Sequence, residues 1–173
     1  MPVRDRMLER RILCVLVLAF SAAACGDDTA ARDCQQPGDP KRQAAACTLV
    51  IAADPKSAKA YNNRCFAYNE QAQYANSLAD CNMAIKLDPR NASAYNNRGI
   101  AYEMRGEFDP ALMDYNKAIE LNPKFAVAFA NRGDVYAKKG DKERAIAEYR
   151  RALAIEPAND IALNGLKQLG VRP

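Results

Sequence analysis

The sequence predicts an all-α fold, a solenoid of stacked helical hairpins, and three observations carry that prediction. The dipeptides Asp54-Pro55, Asp88-Pro89, Asn122-Pro123 and Glu156-Pro157 recur at intervals of 34 residues, a period of the length that marks repeat architectures. Within each period two apolar stripes at helical spacing follow one another. Between the stripes stand Gly106 and Gly140, with Ala72 at the same offset one unit earlier. A residue of positive φ there ends one helix and turns the chain into the next, and alanine suits that turn less well than glycine. A solenoid presents a surface and no enclosed catalytic pocket, so the architecture points to binding.

Taken in order, residues 1–24 read as a signal peptide. Four Arg lie within the first 11 residues, Ile12 to Phe20 is almost purely aliphatic, and Ser21-Ala22-Ala23-Ala24 is a run of small residues. The apolar run is shorter than the roughly 17 to 25 residues a spanning helix needs, so export with cleavage is expected over a retained membrane anchor. Residues 25–41 read as a flexible tether, because Gly26 to Pro40 is rich in Asp, Gly, Pro and Gln with scarcely any large apolar side chain. Residues 42–57 read as a partial leading repeat, a second helix over Arg42 to Ala53 with Cys47 and Ile51 at the positions later held by Cys81 and Ile85.

Residues 58–91, 92–125 and 126–159 then form three complete hairpins. Their first helices align Tyr61, Tyr95 and Phe129, then Ala67, Ala101 and Val135, then Tyr68, Tyr102 and Tyr136. Their second helices align Leu78, Leu112 and Ile146, then Cys81, Tyr115 and Tyr149, then Ala84, Ala118 and Ala152. Small residues set against large rings let two helices approach and interlock. Asp109 before Pro110 predicts the start of the middle unit's second helix, with Asp109 as N-cap and proline at the first helical position. Residues 160–173 read as a capping helix, with Ile161, Leu163, Leu166 and Leu169 placed to cover the apolar face of the last unit.

Aromatic, Gly, Tyr, Ala, aromatic, Ala and Pro at these offsets resemble the tetratricopeptide repeat, over Ala58 to Pro157 in three consecutive units. Arg64, Arg98 and Arg132 replace the family's first-helix Leu, Tyr or Phe replaces its Trp, and Cys65 replaces one Gly. The resemblance implies a right-handed α-solenoid whose first helices line a concave groove. On that reading Asn62, Asn63, Asn96, Asn97 and Asn131 are the candidate partner-binding residues. The ladder of Asn63, Asn97 and Asn131 offers donor and acceptor at each step to the backbone of an extended peptide. The alternative is that these amides bond neighbouring helices or water. The family's two-carboxylate clamp for chaperone C-terminal peptides would want Lys in place of Asn62, Asn in place of Phe66, Asn at Asn97, Lys in place of Val127 and Arg in place of Asn131. Only Asn97 fits, and that ligand is not carried over.

Without the four Arg and two acids of residues 1–24, 21 basic and 19 acidic residues remain, a net charge of +2. That balance argues against a nucleic-acid partner. Cys14 would leave with the signal peptide, and Cys25, Cys34, Cys47, Cys65 and Cys81 would remain. Ala22-Ala23-Ala24-Cys25 resembles a bacterial lipoprotein processing site with Cys25 as the lipidated residue, and ordinary signal-peptidase cleavage fits the same residues. An exported chain matures where thiols pair. Cys34 with Cys47 and Cys65 with Cys81 is the favoured connectivity, the second pair lying across one hairpin. The alternative leaves Cys65 and Cys81 as reduced core thiols at the positions of Gly99 and Tyr115 in the next unit.

The chain has no histidine, which removes the commonest general base. No Cys-x-x-Cys occurs, and neither a metal nor a cofactor is expected. Asp80, Asp114 and Glu148 recur at one offset, as do Arg64, Arg98 and Arg132. Arg-carboxylate pairs between the two helices of each unit are expected in place of an acid-base catalytic pair, unless both sets are merely solvated. The expected function is therefore a non-enzymatic scaffold of the bacterial cell envelope, exported to the periplasm and anchored through Cys25, with a protein or peptide partner. The alternative is a thiol-disulfide active or thiol-sensing protein using Cys65 and Cys81.

Overall fold

The computed structural model describes residues 28–36 and 38–172, and the expected signal peptide and Cys25 lie outside the described residues. Among the described residues every regular element is a helix. A helix over 28–35 (α1) is followed by α2 (Pro40–Ala53), α3 (Ala58–Glu70), α4 (Tyr74–Leu87), α5 (Ala92–Met104), α6 (Phe108–Leu121), α7 (Ala126–Lys138), α8 (Lys142–Ile155) and α9 (Asp160–Gln168). α3 pairs with α4, α5 with α6 and α7 with α8, and each second helix also packs on the first helix of the following unit. The result is a helical solenoid.

Local chemistry explains the element ends. Ser57, Asn91 and Asn159 cap α3, α5 and α9, their side chains accepting from the N–H groups of Ala60, Ala94 and Ala162. Gly106, Gly140 and Gly170 take φ of 77°, 82° and 71°, and Ala72 takes the same left-handed conformation at 55°. At the first of these glycine turns the N–H of Glu107 reaches back to the carbonyl of Tyr102 at 2.9 Å, closing the end of α5.

The core is a seam of small side chains. Ala67, Ala101, Val135, Ala84, Ala118 and Ala152 are all fully buried, Val135 packs on Ala111 and Tyr115 of the preceding hairpin, and the rings of Tyr115 and Tyr149 lie against Gly99 and Gly133 between the helices of a hairpin. Leu166 and Ala162 of α9 bury against Phe129, Ala130 and Tyr149, so α9 covers the apolar side of the last hairpin.

Two features differ from expectation. The stretch expected as a tether carries α1, and α2 begins at Pro40 with Asp39 as its cap. Cys34 of α1 is disulfide-bonded to Cys47, with a Cα–Cα distance of 4.7 Å. Asp33 pairs with Arg42 at 2.8 Å, and the Cys34 carbonyl accepts from Asn63 Nδ2 at 3.0 Å. A disulfide and polar anchors hold this helix where large apolar side chains are missing, which a composition reading does not register. Second, Asp109 is not an N-cap: α6 begins at Phe108, with Glu107 at the cap position. Asp109 instead meets Lys139 Nζ of the next unit. Pro110 is tolerated in the first turn because the first four N–H groups of a helix lack intrahelical partners.

Candidate partner-binding groove

The first helices of successive units touch one another, α3 with α5, α5 with α7 and α7 with α9, whereas among the described residues no second helix touches another second helix. The layer whose members stay close lies on the inside of the curve. The surface of α3, α5, α7 and α9 turned away from the second helices is therefore the concave face.

The expected asparagines lie on this layer, and the structure brings them together in pairs across units. Asn97 Nδ2 donates to Asn62 Oδ1 at 3.1 Å, and Asn131 Nδ2 donates to Asn96 Oδ1 at 3.0 Å. Asn63 bonds the Cys34 carbonyl in the same manner. Asn96, Asn97 and Asn131 are buried. Buried amides require partners, and the preceding helix lies closer than any ligand. The amide ladder thus joins unit to unit, and what it presents to the open groove is limited to the half-buried Asn62 and Asn63.

The groove surface itself comes from the residues three and seven positions beyond that ladder. Phe66, Ile100 and Asp134 occupy one offset and are half-buried, while Met104 and Lys138 occupy the other. Behind them Tyr115 donates its hydroxyl to Glu103 Oε2 at 2.6 Å, Lys138 Nζ reaches Glu103 Oε1 at 2.7 Å, and Tyr149 donates to Asp134 Oδ1 at 2.6 Å. Burial pushes the hydroxyls of Tyr115 and Tyr149 well up, so both stay protonated donors. Burial also raises the Asp134 carboxyl, an effect opposed by its bond from Tyr149. Asp134, Ala137 and Lys138 of α7 and Ile161, Asn164 and Gln168 of α9 line a half-open cleft of about 310 Å³. The sequence signal for this surface was the recurrence of Phe66 and Ile100 at one offset, which Asp134 interrupts.

The Arg-carboxylate pairs form in all three units. Arg64 places Nε and Nη2 on Asp80 at 2.6 and 2.8 Å, and Arg98 grips Asp114 with the same two atoms, both at 2.7 Å. Arg132 puts both donors on one oxygen of Glu148. The third guanidinium donor reaches back to the previous unit, to Thr48, Asn82 and Asn116 respectively. The carboxylates are spent on inter-helix structure, and Asp80 and Asp114 raise the guanidinium pKa of Arg64 and Arg98 through these bonds. Cys65 and Cys81, both 0% exposed, are disulfide-bonded across the first hairpin with a Cα–Cα distance of 5.4 Å. Among the described residues no cluster of potential metal ligands occurs, and no helix is long and apolar enough to cross a membrane.

Family models described as "Tetratricopeptide repeat" match residues 92–125 and 126–159, and one described as "TPR repeat" matches residues 66–106. Together they span more than half of the chain. No curated protein sequence matches. Among solved structures, the chain is similar to the first TPR of Spaghetti (RPAP3) bound to HSP90 peptide SRMEEVD, at 28% identity and TM-score 0.62, covering 68% of this chain and 93% of that one. It is similar to the Arabidopsis OM64 TPR domain at 28% identity and TM-score 0.63, covering 66% and 94%. The thermophilic TPR protein TTC0263 of Thermus thermophilus, at 21% identity and TM-score 0.69 over 76% and 75%, shares the fold. Repeats matched at one period and laid over hairpins that stack as in these structures make the chain a member of the tetratricopeptide-repeat family.

Proposed function

We propose that this chain is a non-enzymatic, protein-binding scaffold of the bacterial cell envelope that holds an extended peptide segment of a partner along its concave face. The observation that carries the reading is the continuous inner surface of α3, α5 and α7, on which Phe66 and Ile100 stay half-buried and Met104 is 53% exposed. Apolar side chains left partly open in a concave surface suit a partner's side chains. Peptide binding by the RPAP3 repeat domain is consistent with this use of the fold. Export and anchoring through Cys25 rest on the sequence of residues 1–25, and the two disulfides are compatible with an oxidising compartment. The thiol-active alternative is opposed by geometry, because a reactive thiol needs access and Cys65 and Cys81 have none.

Photo-crosslinking in intact cells tests the groove. A benzophenone amino acid in place of Ile100 should give a discrete protein adduct, and the same group in place of Met113, which is 72% exposed on α6, should not. Equal labelling from both positions would sink the groove reading. Intact mass of the envelope-purified protein tests anchoring, with an acylated Cys25 expected and an unlipidated mass opposing it.

A further inference from the structure

Resting on the groove reading, we propose that the cleft between α7 and α9 is a subsite for a cationic side chain, lysine or arginine, of the bound peptide, with Asp134 as its counter-ion. Three observations converge. Asp134 is half-buried in the wall of the cleft, and its Oδ1 is fixed by the Tyr149 hydroxyl at 2.6 Å. Among the described residues Asp134 makes no ion pair. Lys138, one turn along the same helix, is the obvious candidate, yet its ammonium is drawn across to Glu103 at 2.7 Å. Lys138 also lines the cleft and acts on Asp134, but Glu103 acts in the opposite sense, so the pair leaves the Asp134 carboxylate without a direct counter-ion. A half-buried carboxylate without a counter-ion is costly, and an incoming cation removes that cost.

The remaining walls fit the rest of such a side chain. Ala137 and Ile161 offer an apolar surface for the methylene stem, while Asn164 and Gln168 carry amide oxygens able to accept the donors that Asp134 does not take. About 310 Å³ accommodates one long side chain with water around it. Next along the groove stand Ile100 and then Phe66, so the segment that fits is one with apolar residues beside a basic one. The sign is opposite to the acidic peptide SRMEEVD on the RPAP3 domain, in keeping with the mismatch at the clamp positions.

The test is selection of random 12-residue peptides on the immobilised full chain, followed by affinity measurements on the enriched sequences by fluorescence anisotropy. Enriched peptides are expected to carry Lys or Arg beside apolar residues. Affinity should fall about ten- to a hundredfold, as expected for a charged hydrogen bond, on changing that residue to norleucine or on Asp134→Asn in the protein. Asp134→Asn preserves an acceptor for Tyr149, and a melting temperature no lower than that of wild type confirms that it folds. Asp134→Glu should retain part of the affinity. Peptides that bind wild type and Asp134→Asn equally but lose binding with Ile100→Lys would overturn the cation subsite and leave the groove standing. Enriched peptides that are acidic would also overturn it. Absence of any enriched peptide, or binding indifferent to Ile100→Lys, would overturn the groove reading together with it.

Discussion

Gly99 lies against the ring of Tyr115 so closely that a methyl group placed on it would come within 2.6 Å of Cε1. Gly133 stands in the same relation to Tyr149, at 2.8 Å. In the first hairpin these two offsets hold Cys65 and Cys81, which are bonded to each other. A ring packed on a glycine and a disulfide are thus alternative ways of joining the two helices of a unit, and either residue alone would be misplaced in the other arrangement.

Gly99→Ala is therefore expected to destabilise the protein by about 1 to 3 kcal/mol, the usual cost of overpacking, because Tyr115 is fully buried and its ring has no space to yield. Thermal unfolding reads this directly. The double replacement Gly99→Cys with Tyr115→Cys should form a disulfide on oxidation, shown by loss of two titratable thiols. Persistent free thiols in a folded variant would refute the equivalence of the two arrangements.

Ala72→Gly should raise stability by about 1 kcal/mol. Ala72 holds φ of 55°, where an L side chain crowds the following carbonyl, while the other two hairpin turns carry Gly106 and Gly140. Urea denaturation compares the variants, and an unchanged midpoint would show that the turn carries no strain.

Asp114→Ala removes a carboxylate gripped by two donors of Arg98 and leaves a guanidinium partly buried without its partner. A loss of about 3 to 5 kcal/mol is expected. Replacing both Arg98 and Asp114 by Leu should recover most of it, since a packed apolar pair relieves the desolvation. A double variant as unstable as the single one would mean that the third contact, Arg98 to Asn82 at 2.7 Å, matters more than the pair.

The extent to which these features were legible differs by kind. The 34-residue period, the three Arg-carboxylate pairs and the Cys65–Cys81 pairing could be read because each is a fixed offset shared by units or spans a single expected hairpin, whereas the Cys34–Cys47 pairing is favoured without a hairpin to support it. The helix at 28–35 could not, because it is held by one disulfide and by polar contacts from Arg42 and Asn63 rather than by its own composition. The sequence places the asparagines on the first helices and leaves two roles open, groove contact or bonds to a neighbouring unit, and the inter-unit bonds of Asn97, Asn131 and Asn63 match the second. Recurrence shows that a position matters, not whether its amide turns to the groove or to the adjacent unit. Asp134 is not legible from recurrence, because it stands at a single unit where Phe66 and Ile100 occupy the same offset in the others.

Reducing the Cys34–Cys47 bond should release α1 selectively. In the chain-entropy picture a loop of this size is worth about 3 kcal/mol. Cys34→Ser is expected to speed amide exchange across residues 28–36 while α5 to α9 keep their protection. Uniform loss of protection would instead show that the leading hairpin folds as one unit with the rest.

The Asp134 carboxyl gives stability a dependence on pH with a definite sign. Burial and the nearby Glu103 raise its folded pKa, while the Tyr149 hydrogen bond and Lys138 oppose them, and the net shift is upward. A carboxyl whose pKa is higher in the folded state binds more protons there than in the unfolded chain. Its contribution is then most favourable below the ordinary Asp value of about 3.9 and is lost as pH rises through the folded value. Asp134→Asn removes this dependence, so its stability relative to wild type should increase between about pH 3 and pH 7. A bound lysine or arginine side chain would reverse the shift, and binding near the folded pKa should be accompanied by proton release. A stability difference that stays flat across this range would mean that water already compensates the carboxylate, and with it would go the reason for a cation to enter the cleft.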